Sequence, residues 1–226
     1  MTLIVALKGK DHVSMVGDTL EMREQGAAMY CRYRRKIRKI NGEWVIGVSG
    51  CLHGLQVVED LGEQKIDGLS ENLSEAIKQL AQKLHRGYSK KNFVDDCWFL
   101  LIGFNRGVPF IWNWHFAKKK TRSQLVGPWE QQDIAAVGTV DHGALYFAHQ
   151  FLSRQMQPSQ TALLGLHCVS EVSNHDRRVK GPFTVAISEQ TGTQIYSEDK
   201  LNRLLERSTG ITTSISAQFS ATDITL

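Results

Sequence analysis

Residues 2–19 read Thr-Leu-Ile-Val-Ala-Leu-Lys-Gly-Lys-Asp-His-Val-Ser-Met-Val-Gly-Asp-Thr. Leu3 to Leu7 is an apolar run of strand length. Lys8-Gly9-Lys10-Asp11 supplies turn residues, and His12 to Asp18 is a second strand-like run. Thr2 heads the first run. If Met1 is removed, the chain begins with a residue that carries both a hydroxyl and a free α-amine. Such an amine titrates near neutral pH, about 7.7–8.0, so it can take the hydroxyl proton directly or through water.

Working outward, Lys36-Ile37-Arg38-Lys39-Ile40 and Glu43 to Gly50 flank Asn41-Gly42, a type I′ hairpin signal. Trp98 to Phe104 and Val108 to Trp112 flank Asn105-Arg106-Gly107 and predict another hairpin. Strands are also expected at 134–138, 182–188 and 193–197. Helices are expected at about 51–66, 73–88, 142–156, from Pro158 onward, and 198–207. In the second of these, Leu73, Ile77, Leu80 and Leu84 fall on one face, and Asn72 with Glu75 predicts an N-cap. Asp141 is a candidate cap for the third. Hairpins with helices inserted in pairs predict an α+β fold of two mostly antiparallel sheets. Residues 1–207 are expected to form one domain. The Ser- and Thr-rich end, 208–226, is expected to be a tail or a short edge strand.

The ordered set of a Thr start, Asp18 closing the second strand, Lys-Ile-x-Lys-Ile in the third and Ser49-Gly50 ending the fourth resembles the β-type subunits of the proteasome family. These belong to the N-terminal nucleophile hydrolases. Ala135-Ala136-Val137-Gly138-Thr139 before a helix, and Asp176 before Gly181-Pro182-Phe183, continue the resemblance over residues 2–205. It implies a four-layer α-β-β-α sandwich and a threonine peptidase whose nucleophile is Thr2. Lys36 would keep the α-amine neutral, since a nearby cation lowers an amine's pKa. Asp18 would hold Lys36, and the Gly50 N–H would face the oxyanion. Thr139 and Asp176 would orient the amine. Lys39 competes with Lys36 because Lys-Ile occurs twice. Two departures stand out: Val140 replaces a glycine, and Val179 replaces a serine.

The resemblance further implies a self-compartmentalising homo-oligomeric ring that cuts peptides or unfolded proteins. A ring-shaped ATPase unfoldase is a further partner, although Asp223-Ile224-Thr225-Leu226 lacks the penultimate Tyr of ATPase-docking tails. The alternatives are a non-catalytic or latent subunit of the same fold, and an amidohydrolase acting on small amides.

Composition excludes other classes. The chain has 226 residues, 42% apolar and 22% charged, enough for a core and ordinary for a globular protein. No apolar run spans a membrane and no signal peptide is evident, so a cytoplasmic protein is expected. Cys31, Cys51, Cys97 and Cys168 form no CxxC pair and are expected to be reduced, with no disulfide frame or zinc site. The eight histidines show no metal spacing, and no nucleotide-binding loop occurs, so no cofactor is expected. Six of the eight residues 32–39 are basic. Ile37 and Ile40 tie that run to a folded hairpin, which argues for a solvated strand and against a nucleic-acid patch.

Overall fold

The computed structural model describes residues 2–25, 28–40, 42–63, 69, 71–138 and 142–221. The opening hairpin forms as the sequence predicts, from β1 (Leu3–Lys8) and β2 (His12–Asp18). It lies inside a five-stranded antiparallel sheet with β10 (Ile134–Gly138), β11 (Phe183–Glu189) and β12 (Gly192–Ile195), ordered β10-β1-β2-β11-β12. β1 therefore pairs on both edges, Leu3 with Gly138 and Ile4 with Gly17.

The second five-stranded sheet runs in sequence order. Its strands are β5 (Ile37–Lys39), β6 (Trp44–Gly50), β7 (Cys97–Asn105), β8 (Val108–Lys119) and β9 (Arg122–Gln131). A separate hairpin, β3 (Leu20–Gln25) and β4 (Ala28–Tyr33), leaves the first sheet just after Asp18. The helices are α1 (Leu52–Glu63), α2 (Leu73–Lys90), α3 (His142–Phe151), α4 (Pro158–His175) and α5 (Glu198–Ala221). The fold is α+β.

Strand alternation divides the apolar side chains among three clusters. Leu3, Val5 and Leu7 of β1 pack with α4 residues such as Leu166 and Val169. Ile4 and Ala6 of the same strand join Val45, Leu100, Ile102 and Ile111 of the second sheet. The other face of that sheet, including Ile46, Phe99 and Leu101, packs with Ile77, Leu80 and Leu84 of α2. The expected α2 cap forms, with Glu75 N–H donating to Asn72 Oδ1 at 3.2 Å. Among the described residues no helix is long and apolar enough to cross a membrane.

Two elements lie where the sequence predicts none, and one expected boundary is corrected. β9 was not anticipated. It is an edge strand with many exposed positions and no clean alternation, and its Gly127-Pro128 falls where the ladder shifts between Asn113 and His115. β3 was likewise missed. Its short connection to β4 holds no Asn-Gly pair and its sequence is half charged. The last helix does not stop at 207. Within it Thr209 and Thr213 turn their hydroxyls back to the carbonyls of Leu205 and Thr209, both at 3.0 Å, which takes them away from competing backbone turns. Ser208 and Thr212 tie it to α4 through His167 Nδ1 at 2.9 Å and Glu171 Oε1 at 2.7 Å. The expected cap Asp141, the turn residue Asn41 and the C-terminal residues 222–226 lie outside the described residues.

Candidate active site

Thr2 is buried at the head of β1, where three elements converge. Asp18, the last residue of β2, reaches back so that its Oδ1 accepts the Leu3 N–H at 2.9 Å. Its Oδ2 accepts from Lys36 Nζ at 2.9 Å. Lys36 also donates to the Leu20 carbonyl. Its own carbonyl accepts the Val48 N–H at 3.0 Å, which fastens the residue beside β6. Ser49 Oγ, further along β6, is 3.5 Å from the Thr2 carbonyl oxygen.

Lys36 is thus the lysine that the fold takes inside, at 7% exposure. Lys39 is exposed and donates to the Thr193 carbonyl at 3.0 Å instead. Three arginines of the run meet acids: Arg32 pairs with Glu21, and Arg34 and Arg38 with the two oxygens of Glu59.

Burial pushes the Lys36 ammonium below its ordinary value, with Asp18 and then Glu21 opposing. Burial likewise pushes the Asp18 carboxyl up, opposed chiefly by Lys36. Each charge is costly to desolvate, and each is tolerable only because the other is there.

Two glycines make the close packing feasible. At Gly138, φ is +111°, and a Cβ would lie 1.8 Å from the Thr2 carbonyl oxygen and 2.6 Å from Ser49 Oγ. No side chain fits between β10 and the head of β1. The motif points to Thr139, whereas the signal for this close approach is Gly138 itself, a glycine ending a strand. Gly50 has φ +98°, and a Cβ there would meet the Asp96 carbonyl oxygen at 2.6 Å. Its glycine is required by its own backbone and by Asp96.

Thr139 lies outside the described residues. Asp176 follows α4, and its carboxylate is engaged by Arg178, through Nε at 2.8 and 3.0 Å and through Nη2 at 2.7 Å. The Arg178 contacts hold its pKa below the usual carboxylate range. Among the described residues the hydrogen bonds of this carboxylate run to Arg178, and the N-terminal charge is a smaller further cause of its lowered pKa. The fold therefore brings Thr2, Asp18, Lys36 and the Ser49-Gly50 strand end together, and pairs Asp176 with its own neighbour.

Cys51 follows Gly50 directly. Its thiol is 3.0 Å from the Tyr88 hydroxyl, which itself donates to the Asp95 carbonyl at 2.8 Å. The neighbouring Cys97 thiol, and after it the Tyr88 hydroxyl, lower the Cys51 pKa to about 6. Nothing in the spacing of the cysteines signals this arrangement.

No protein-family model and no curated protein matches the chain. Solved structures do. Anbu (ancestral beta-subunit) from Yersinia bercovieri aligns with a TM-score of 0.75 at 16% identity, covering 99% of both chains. An Anbu mutant from Hyphomicrobium sp. strain MC1 aligns with a TM-score of 0.74 at 15% identity, covering 99% of this chain and 98% of that one. Another Anbu structure from the same strain gives 0.69 at 14%. These matches correct the assignment to the proteasome β-type subunits. The motifs that suggested it mark a strand head, a buried lysine and a hairpin end, which do not separate one branch of such a fold from another. The chain has the fold of the Anbu proteins over its full described length.

Proposed function

We propose that this chain is an N-terminal threonine hydrolase that cleaves peptide bonds, with Thr2 made chain-terminal by removal of Met1. The observation that carries the reading is the buried Asp18–Lys36 pair fastened to the Leu3 amide, one residue from the nucleophile. A buried ion pair is an expensive way to hold a strand, and replacing such pairs by apolar residues is often neutral or stabilising. A cation placed at a terminal α-amine has a chemical use instead, because it keeps that amine in its basic form.

In the proposed cycle Thr2 Oγ adds to the substrate carbonyl and its proton passes to the Thr2 α-amine. The oxyanion is met by the Gly50 N–H, a donor whose loss typically raises a barrier by about 2.7–4 kcal/mol. Collapse breaks the C–N bond, and the departing amine takes the proton back from the α-ammonium. Water then attacks the Thr2 ester, gives its proton to the α-amine, and releases the acid and free Thr2. Asp18 holds Lys36 in place, and Thr139 and Asp176 are the candidates for orienting the amine.

The same reading extends to architecture and assembly. The three apolar clusters support a four-layer α-β-β-α sandwich, and the chain is proposed to assemble as a homo-oligomeric, self-compartmentalising ring that admits peptides and unfolded chains. An unfoldase partner belongs to the same proposal.

The test is covalent labelling. Purified protein is incubated with a threonine-reactive epoxyketone or β-lactone and mapped by intact and peptide mass spectrometry beside Thr2→Ala. An adduct on Thr2, with Met1 gone and no adduct in the variant, is the expected result. A chain lacking Met1 that forms no adduct would overturn the catalytic reading, and retained Met1 would mark a latent or non-catalytic subunit.

A further inference from the structure

We propose that Cys51, His53 and Asp95 form a binding site for one zinc-type divalent metal ion at the β6–α1 junction. One ligand atom from each of these residues lies within 4.8 Å of the others. The inference does not depend on the threonine chemistry.

The donors come from two segments next to regular elements. Cys51 and His53 bracket the start of α1, immediately after β6. Asp95 lies two residues before β7, and β6 and β7 are paired from Trp44–Gly103 to Gly50–Cys97. The ladder therefore brings Asp95 close to Cys51, although 43 residues lie between them in sequence.

The spacing suits coordination. His53 Nδ1 and Asp95 Oδ2 are 3.2 Å apart. Two ligand atoms bound at about 2.0–2.1 Å to one tetrahedral zinc are themselves about 3.3 Å apart. The contact now made as a hydrogen bond has the length of one edge of such a site. The imidazole is not free to wander, because it stacks on Phe93 with ring centres 3.8 Å apart and planes 10° from parallel.

The surroundings resemble the outer shell of a metal site. The Tyr88 ring is fully buried, and its hydroxyl touches both the Cys51 sulfur and the Asp95 backbone carbonyl. It thereby orients two of the three ligand residues at once. The Cys97 thiol, 3.9 Å from the Cys51 carbonyl, packs behind the site.

The chemistry of the donors selects the ion. One sulfur, one nitrogen and one carboxylate oxygen match zinc and its neighbours; calcium and magnesium take oxygen sets. The His53 and Asp95 side chains are 42% and 52% exposed, which leaves room for water in a fourth position. A partly exposed His–Asp pair by itself contributes little to stability and gives no reason for a thiol to join it.

The test uses untagged full-length protein kept reduced with a phosphine. Co2+ serves as the optical probe, and Zn2+ is titrated against a chromogenic chelator. Expected are one ion per chain, the visible bands of a four-coordinate Co2+ site and a thiolate charge-transfer band. Cys51→Ser should remove that band. His53→Ala and Asp95→Asn, both at exposed side chains, should weaken binding at least tenfold, and Cys31→Ser should leave it unchanged. Should Cys51→Ser fail to fold by circular dichroism, the other two variants still decide. The proposal is overturned if the native chain shows no saturable binding, or if all three ligand variants bind as it does.

Discussion

Lys36 and Asp18 are the residues on which structure and proposed chemistry meet most closely, and their energetics are asymmetric. Removing one partner strands a charge in the interior; removing both removes the desolvation problem. Lys36→Met alone, or Asp18→Asn alone, is expected to cost about 3–5 kcal/mol. Lys36→Met with Asp18→Asn should recover most of that, since an Asn oxygen can still accept the Leu3 amide. Urea unfolding of the two single variants and the double variant measures the coupling. The signs of the pKa shifts agree. Lys36 is pushed down, so its contribution to stability is present above its ordinary value and is lost as pH falls through the folded one. Asp18 is pushed up, so its contribution is present below its ordinary value and is lost as pH rises through the folded one. At neutral pH both ions are held against the preference of their surroundings. If neither single substitution proved costly, the pair could not be buried as described.

Cys51 offers a second measurement at this scale. With its pKa lowered to about 6, its alkylation by iodoacetamide should rise through pH 6 and level off by about pH 7–8, where an ordinary cysteine near 8.5 is still mostly protonated. Ionised Cys51 also favours the folded state. That advantage is present above the ordinary thiol value and is lost as pH falls through about 6. Cys97→Ala removes the largest cause and should move the reactivity profile to higher pH. Cys168, buried and pushed up to about 12, should stay unlabelled in the folded protein. A Cys51 profile centred near 8.5 would contradict the hydrogen bonds that surround it.

Among the elements, glycines separate positions that need them from positions that do not. Gly138→Ala would place a Cβ 1.8 Å from the Thr2 carbonyl oxygen with φ at +111°. The only relief is movement of backbone at the head of β1, so a loss of at least about 1–3 kcal/mol is expected, together with loss of Thr2 labelling. Gly210→Ala in α5 meets nothing within 4 Å and should stabilise by up to about 1 kcal/mol. Thermal melts check both, at about 2–4 °C per kcal/mol for a chain of this size. Equal melting temperatures for the two variants would mean that β10 does not press on Thr2.

The same contrast explains what was legible in the sequence. β1 has an unbroken apolar run and β6 and β7 mostly apolar ones because both faces are largely buried, and α2 has a clean period because one face is. Lys36 could be singled out within a basic run because the motif placed it ahead of the hairpin. β9 was invisible because an exposed edge strand interrupted by Gly127-Pro128 has no period to read. The end of α5 was misread because Ser and Thr favour turns locally, and only α4 supplies the partners that keep them helical. The Cys51–His53–Asp95 cluster was beyond reach because it depends on the β6–β7 register.

For the molecule as a whole, the central question is how firmly the nucleophile strand is held. β1 hydrogen-bonds to β10 on one edge and β2 on the other, and its two faces join different apolar clusters. Opening it exposes both clusters, so its amides should exchange only through transitions close to global unfolding. β9 has one neighbour, β8, and many exposed side chains, so it should open at a small fraction of that free energy. Hydrogen exchange followed by mass spectrometry should therefore rank peptides covering residues 3–8 and 12–18 as the slowest and those covering 122–131 among the fastest. This order matters for the chemistry, because a reacting group positions well only when its support does not open on the way. Thr2 immediately precedes Leu3, the first paired residue of β1, which is held by both Gly138 and Asp18. Because Asp18→Asn lowers global stability, it should speed exchange at residues 12–16 in proportion to the stability lost. Should residues 3–8 exchange as fast as β9 in the native protein, the head of β1 would be too loose to present a nucleophile, and the threonine reading would fail on dynamics even with every contact in place.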